Sequence, residues 1–285
     1  MTPFLDSELT EAERDPATAR FRVIPVPLER TVSYGAGTAG GPAAILAASS
    51  ELERLWRGGE PCAAGIVTEP ALDCTGALAE VMQRLADRTA AATPAGIPVT
   101  LGGEHSLSYG AVRGVTEALG RPIGVLHIDA HADLRIAYQG EPHSHASVMH
   151  LLAKAGHPIA SYGVRALCQQ EVDARSRYRV HAVDAEALVL GQITQVRLPE
   201  SFPEDVYISF DVDGLDPSVM PATGTPVPGG LGFWQALSIV RSALDGRRCV
   251  GLDVVELAPT PTSAPWDFTA AQLVYGLMAI VVGER

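Results

Sequence analysis

Three metal-binding side chains stand at alternate positions in His127-Ile128-Asp129-Ala130-His131-Ala132-Asp133. On an extended backbone alternate residues point to one side, so a single strand end aims Asp129, His131 and Asp133 at one point. Ser209-Phe210-Asp211-Val212-Asp213-Gly214-Leu215-Asp216-Pro217 repeats the arrangement with Asp211 and Asp213. Both stretches follow apolar runs, at residues 122–126 and 206–208. Two buried strands ending in carboxylates are costly unless cations neutralise them. Two further apolar runs end in His105, within Gly102-Gly103-Glu104-His105-Ser106, and in Glu256, within Asp253-Val254-Val255-Glu256. His105, His131 and the four aspartates offer more ligands than one ion takes. They suit two divalent cations with bridging carboxylates, and oxygen-rich ligation with a little imidazole favours Mn²⁺ over zinc. Such a pair, about 3.5–4 Å apart, lowers the pKa of bound water toward ~7. The matching chemistry is hydrolysis at a planar, poorly electrophilic carbon, with Glu256 free to hold a cationic substrate. Phosphoester hydrolysis also uses two metals, but no arginine or lysine cluster lies near these motifs to receive a phosphate.

The elements that position these groups read as alternating strands and helices. Strands are expected at 21–27, 65–67, 97–101, 122–128, 161–165, 180–183, 206–210 and 249–256. Helices are expected at 43–56, 77–92, 107–119, 144–155 and 233–244, with a buried apolar helix over 273–282 that is too short to span a bilayer. The alternation predicts a three-layer α/β/α sandwich around a mostly parallel sheet, in one domain over 1–285. A parallel sheet brings strand-end groups to one edge, where open α/β sheets bind ligands. Pro25 and Pro27 suit an edge position for the first strand. The glycine-rich run at 35–41 matches no phosphate-binding fingerprint and is expected to be a flexible loop feeding Pro42 near a helix start. Residues 1–20, polar and mixed in charge, are expected to form a loosely packed arm.

Composition narrows the partners. A formal charge of −12 argues against nucleic acid and anionic membrane surfaces and suits a cationic small molecule. The hydrophobic fraction of 47% supports a sizeable core. Cys62, Cys74, Cys168 and Cys249 form no C-x-x-C pair, as expected of free thiols in a reducing cytoplasm. The N-terminus turns acidic early and does not read as a signal peptide.

These motifs, in this order and over most of the chain, resemble the ureohydrolase family, which includes arginase, agmatinase and guanidinobutyrase. Tyr34 to Ile45, Ser144-His145-Ala146-Ser147 and Pro221-Ala222-Thr223-Gly224-Thr225-Pro226 add to the match. The resemblance implies an arginase-like fold and a dimanganese site. One ion would be held by His105, Asp129, Asp133 and Asp211, the other by Asp129, His131, Asp211 and Asp213. It implies that Glu256 binds the guanidinium with Thr225 nearby, that His145 is a mobile proton shuttle, and that Asp133 relays a proton to the leaving amine. It also implies a homo-oligomer, trimeric or hexameric. Glu104 departs from the aspartate of many members, a change expected to touch only the support of the neighbouring ligand.

The loop at 134–143 lacks the serine- and asparagine-rich pattern of arginases, and its wording resembles agmatinases. Agmatine, giving urea and putrescine, is the expected substrate, with Glu141 or another acid attracting its far amine. A guanidino acid such as 4-guanidinobutyrate is the alternative, its carboxylate received by Arg135. A polyamine-binding homologue without turnover is a third reading, and the intact ligand set speaks against it.

Overall fold

The computed structural model describes residues 2–260 and 265–283. Eight strands form one sheet: β1 (Phe21–Val26), β2 (Ile66–Thr68), β3 (Ile97–Gly102), β4 (Gly124–Ile128), β5 (Ile159–Tyr162), β6 (His181–Val183), β7 (Asp205–Asp211) and β8 (Arg248–Val255). Their order is β2-β1-β3-β8-β7-β4-β5-β6, and every pairing is parallel. Among the described residues eight α-helices alternate with them: α1 (Gly41–Ser49), α2 (Leu78–Ala92), α3 (Ser108–Leu119), α4 (Val148–Lys154), α5 (Gln169–Tyr178), α6 (Ala185–Leu190), α7 (Phe233–Ala243) and α8 (Pro265–Val282).

The two-residue period of the strands builds two cores. Leu126 and Ile128 of β4, with Val206, Ile208 and Phe210 of β7, pack toward α1, α7 and α8. Val125 and Tyr207, on the opposite face, pack toward α2, α3 and α4. Strands buried on both faces read as continuous apolar runs, which is why the central ones were plain in the sequence.

Several expectations are corrected. β1 is not an edge strand, since β2 and β3 flank it. β2, however, pairs only with Phe21, Arg22 and Val23. The Pro25 carbonyl on that side accepts Leu72 N instead, so the missing N–H of Pro25 interrupts no ladder. The arm at 1–20 is not loosely packed: Phe4 and Leu5 are fully buried, and their backbone N–H groups donate to Thr68 Oγ1 and Ser49 Oγ. The apolar pair outweighs the polar average of that stretch. The first helix ends at Ser49, short of the expected 56, and the chain then folds back in a Trp56–Gly59 bridge. The glycine-rich run is pinned by Glu29, whose Oε2 accepts Gly37 N, Thr38 Oγ1 and Ala39 N. The C-terminal helix is 18 residues long, with a mean hydropathy of 1.3 that matches a membrane span. Here it packs on α1 and α7, and its residues 273–280 are all buried.

Candidate metal centre

Every strand that carries a candidate ligand points its C-terminal end to the same edge of the sheet. β4 and β7 are neighbours in register, Ile128 opposite Phe210, so the residues after each strand meet. β8 lies on the other side of β7, and β3 beyond it delivers His105. Asp129, Asp133, Asp211, Asp213, His105 and Glu256 are all buried, and His131 is partly so.

His105 Nδ1 lies 3.1 Å from Asp129 Oδ2, 3.1 Å from Asp133 Oδ2 and 3.3 Å from Asp211 Oδ2. His131 Nδ1 lies 3.0 Å from Asp213 Oδ2 and 3.5 Å from Asp129 Oδ1. The six predicted ligands thus converge as two groups that share Asp129.

A row of polar side chains one layer down sets the tautomers. Thr100, Asp253, Ser209, His127 and Ser161 face one another across five adjacent strands. Ser209 Oγ donates to Asp253 Oδ1 at 2.9 Å, so toward His105 Nε2, at 2.9 Å, it acts as acceptor. His105 therefore carries its proton on Nε2 and turns the Nδ1 lone pair on three carboxylates. That buried atom has no hydrogen-bond partner. A bare lone pair facing three carboxylate oxygens is repulsive, and a cation among them removes the conflict. The donor set, two imidazoles with four carboxylates, fits hard or borderline divalent ions. His127 stands close enough to be a ligand itself. Both its nitrogens are engaged, Nε2 with Asp129 Oδ2 at 2.8 Å and Nδ1 with Ser161 Oγ at 3.0 Å, so it orients Asp129 instead.

Without a cation, protons do the neutralising. Burial pushes His105 and His131 toward the neutral form, but the surrounding aspartates outweigh it. They hold His105 well above its ordinary range and His131 at about 12. Burial and the neighbouring Asp213 and Asp129 push Asp211 well up, and burial and Asp129 raise Asp213. Burial also tends to raise Asp129, yet His127, His105 and His131 hold it well below the carboxylate range. Burial lifts Glu256 to about 8 against the opposing His105 N–H, which donates to its Oε1 at 2.6 Å.

Two site carboxylates, Asp133 (φ +52°) and Glu256 (φ +67°), sit in the left-handed backbone region that costs non-glycine residues of order 1–3 kcal/mol. Asp133 O accepts Met149 N and His150 N, and Glu256 N donates to Gly103 O, which hold both turns.

The cluster floors a cleft. An outer chamber of about 280 Å³ is lined by His131, Asp133, Arg135, Tyr138, His145 and Glu171, with Ser33, Ala146, Ala166, Leu167, Cys168 and Thr225. A narrow inner space shares Ser33, His131, Asp133, His145 and Thr225 with it and reaches His105, Asp211 and Glu256. Thr225 is brought there by Gly35: its N–H donates to Gly224 O, and a Cβ at Gly35 would come within 2.8 Å of Gly224 Cα. The more voluminous cavity at the end of α7, about 530 Å³, is lined by Gln195, Arg197, Arg241 and Asp245 and holds none of the ligand cluster.

A profile of the arginase family matches residues 19–279. The chain belongs to the arginase family. It is 39% identical over 277 residues, 93% of its length and 92% of the relative's, to the N(1)-aminopropylagmatine ureohydrolase of Thermus thermophilus. It is 31% identical to the agmatinase of Pyrococcus horikoshii, covering 90% of each chain. The agmatine ureohydrolase of Thermoplasma volcanium superposes with a TM-score of 0.83 at 26% identity, over 99% of this chain and 94% of that one. The fold is that of the arginase family and the chain is a ureohydrolase, an amidine C–N hydrolase.

Sequence reasoning gathered the ligands but gave no role to His127, Ser209, Asp253, Thr31 or Glu171. Two of these carry a signal: His127 and Ser209 stand two residues before a ligand, on its own strand face. Thr31 and Glu171 reach the site only through the tertiary fold. Glu104 was expected to support its neighbour His105. Its carboxylate turns instead to Arg30, Thr31 and Ser106. Glu141 does not line the chamber; its Oε1 accepts His143 N.

Proposed function

We propose that this ureohydrolase uses two Mn²⁺ ions to release urea from a linear alkylguanidine carrying a further ammonium group, N(1)-aminopropylagmatine foremost and agmatine next. The observation that carries the reading is a cleft floored by carboxylates, in which the buried Glu256 stands apart from the metal-ligand set to receive a cation. Glu171 lines the outer chamber, its Oε1 accepting Leu134 N and its Oε2 accepting Cys168 N. The names of the relatives agree with a polyamine-like tail.

Two divalent ions held by His105, Asp129, His131, Asp133, Asp211 and Asp213 would supply a water of lowered pKa beside the guanidinium carbon. Glu256 takes the guanidinium cation, whose charge returns the buried carboxyl to its ionised form. Thr225 stands on the same wall as a hydroxyl partner. Asp133 accepts the proton of the attacking water and passes it to the leaving nitrogen, which must depart as a neutral amine. His145, at the throat between the inner space and the outer chamber, exchanges a proton with solvent. The adduct carries a positive charge once Asp133 has passed the proton to the leaving nitrogen, and Glu256, fixed in place, stabilises that charge without reorganising.

One observation favours a guanidino acid instead: Arg135 lines the chamber and offers a guanidinium to a carboxylate. Its Nε stands 4.0 Å from Glu171 Oε2. Urea release from N(1)-aminopropylagmatine, agmatine, 4-guanidinobutyrate and arginine, measured side by side with Mn²⁺, decides. The two cationic-tailed compounds are expected to lead in kcat/KM. A lead for guanidinobutyrate or arginine overturns the substrate assignment.

A further inference from the structure

His145 is tied to the protein through one side chain, Thr31. Thr31 Oγ1 accepts the backbone N–H of His145 at 3.0 Å and lies 3.2 Å from its Nδ1. The same hydroxyl donates to Glu104 Oε1 at 2.9 Å. Glu104 is fully buried. Its Oε1 also accepts Ser106 Oγ, and its Oε2 accepts Arg30 N and Thr31 N.

Hydrogen-bond accounting then fixes the protons. A carboxylate has about four acceptor positions, and here four donors fill them, so every neighbouring N–H and O–H turns its hydrogen toward Glu104. The one hydroxyl proton of Thr31 is therefore committed to Glu104. What Thr31 offers His145 is a pair of lone pairs, one for the backbone N–H and one for the ring. The ring nitrogen facing it must be a donor. Tyr138 closes the other side of the ring, edge-on with centroids 5.4 Å apart.

We propose that Thr31, oriented by Glu104, is a positioning residue that selects the His145 tautomer with its proton on Nδ1. This leaves Nε2 as the basic nitrogen presented to the substrate cleft. A histidine in the other tautomer would present an N–H there and could take up no proton at that atom. Glu104 thereby acquires a task. Its carboxylate spans to the 30–31 turn and, through Thr31, orients a residue 41 positions farther along the chain.

The inference rests on the reading of His145 as a proton-exchanging group, and two measurements separate the two claims. The first needs no substrate. Nitrogen-15 NMR of histidine-labelled protein, loaded with diamagnetic Mg²⁺ and with the His145 signals identified from H145Q, reports which ring nitrogen bears the neutral-form proton. Nδ1–H is expected, and Nε2–H in the wild-type protein overturns the proposal before any Thr31 variant is made. The second compares Thr31→Val with Thr31→Ser under Mn²⁺. Thr31→Val is expected to lower kcat roughly 10- to 100-fold, less than the ~10²- to 10⁴-fold contribution of the proton-transfer group itself. KM and bound manganese should stay within about twofold, and Thr31→Ser should restore kcat to within about threefold of wild type. A Thr31→Val enzyme with unchanged kcat, or a Thr31→Ser enzyme as slow as Thr31→Val, overturns the positioning role. Unchanged kcat in H145Q, with Nδ1–H still seen in the wild type, removes the proton-exchange reading while leaving the tether intact.

Discussion

At His131 and His105 the site competes with itself. Each imidazole sits among carboxylates that favour its protonated form, His131 up to about 12. A cation can bind only where that proton has left, so metal uptake must release protons and strengthen as pH rises. Calorimetry of Mn²⁺ binding near pH 7.5, in two buffers of different ionisation enthalpy, is expected to show roughly one to two protons released per chain. Release of none contradicts the assignment of these histidines as ligands. The same shift sets the stability of metal-free protein. A histidine raised on folding from 6.5 to about 12 contributes fully below pH 6.5, and that contribution is lost as pH climbs toward 12. Metal-free protein should therefore melt progressively lower as pH rises through that window, a trend that bound Mn²⁺ removes.

Among the elements, the neighbouring strands β7 and β8 do more than end in site carboxylates. Their parallel register puts Ser209 beside Asp253, one layer beneath the cluster. Ser209→Ala removes the acceptor of the His105 Nε2 proton. It is expected to weaken Mn²⁺ binding 10- to 100-fold with the fold retained, measurable by metal titration and circular dichroism. Wild-type affinity would mean that the row beneath the ligands is packing alone. Beyond the ligands, Arg165 knits the loop after β7, donating from Nη2 to Asp213 O and Leu215 O and from Nε to Val227 O. The ligand-bearing strands were legible because alternation on a strand states which residues share a face. The supports of His145 and the wall carboxylate Glu171 were not, because nothing local in Arg30-Thr31 or Gln169-Gln170-Glu171 says what those side chains meet.

Over the whole molecule the parallel order β3-β8-β7-β4 is what turns four separate strand ends into one cluster, and the apolar runs announced that sheet before any coordinates. At the N-terminus a polar average composition hides a few apolar anchors. Phe4 and Leu5 tie the N-terminal arm into the core shared by α1 and α8. Phe4→Ala is expected to destabilise the fold by about 3–5 kcal/mol in urea denaturation, and a loss under ~1 kcal/mol would restore the picture of a loose arm. The central claim is that this sheet edge holds two cations which together make a guanidine hydrolase. Its most direct test is to titrate metal-depleted protein with Mn²⁺ while following urea release from N(1)-aminopropylagmatine and agmatine. The rate should rise with metal and saturate at two ions per chain; saturation at one ion, or a rate that never departs from the metal-free value, contradicts it.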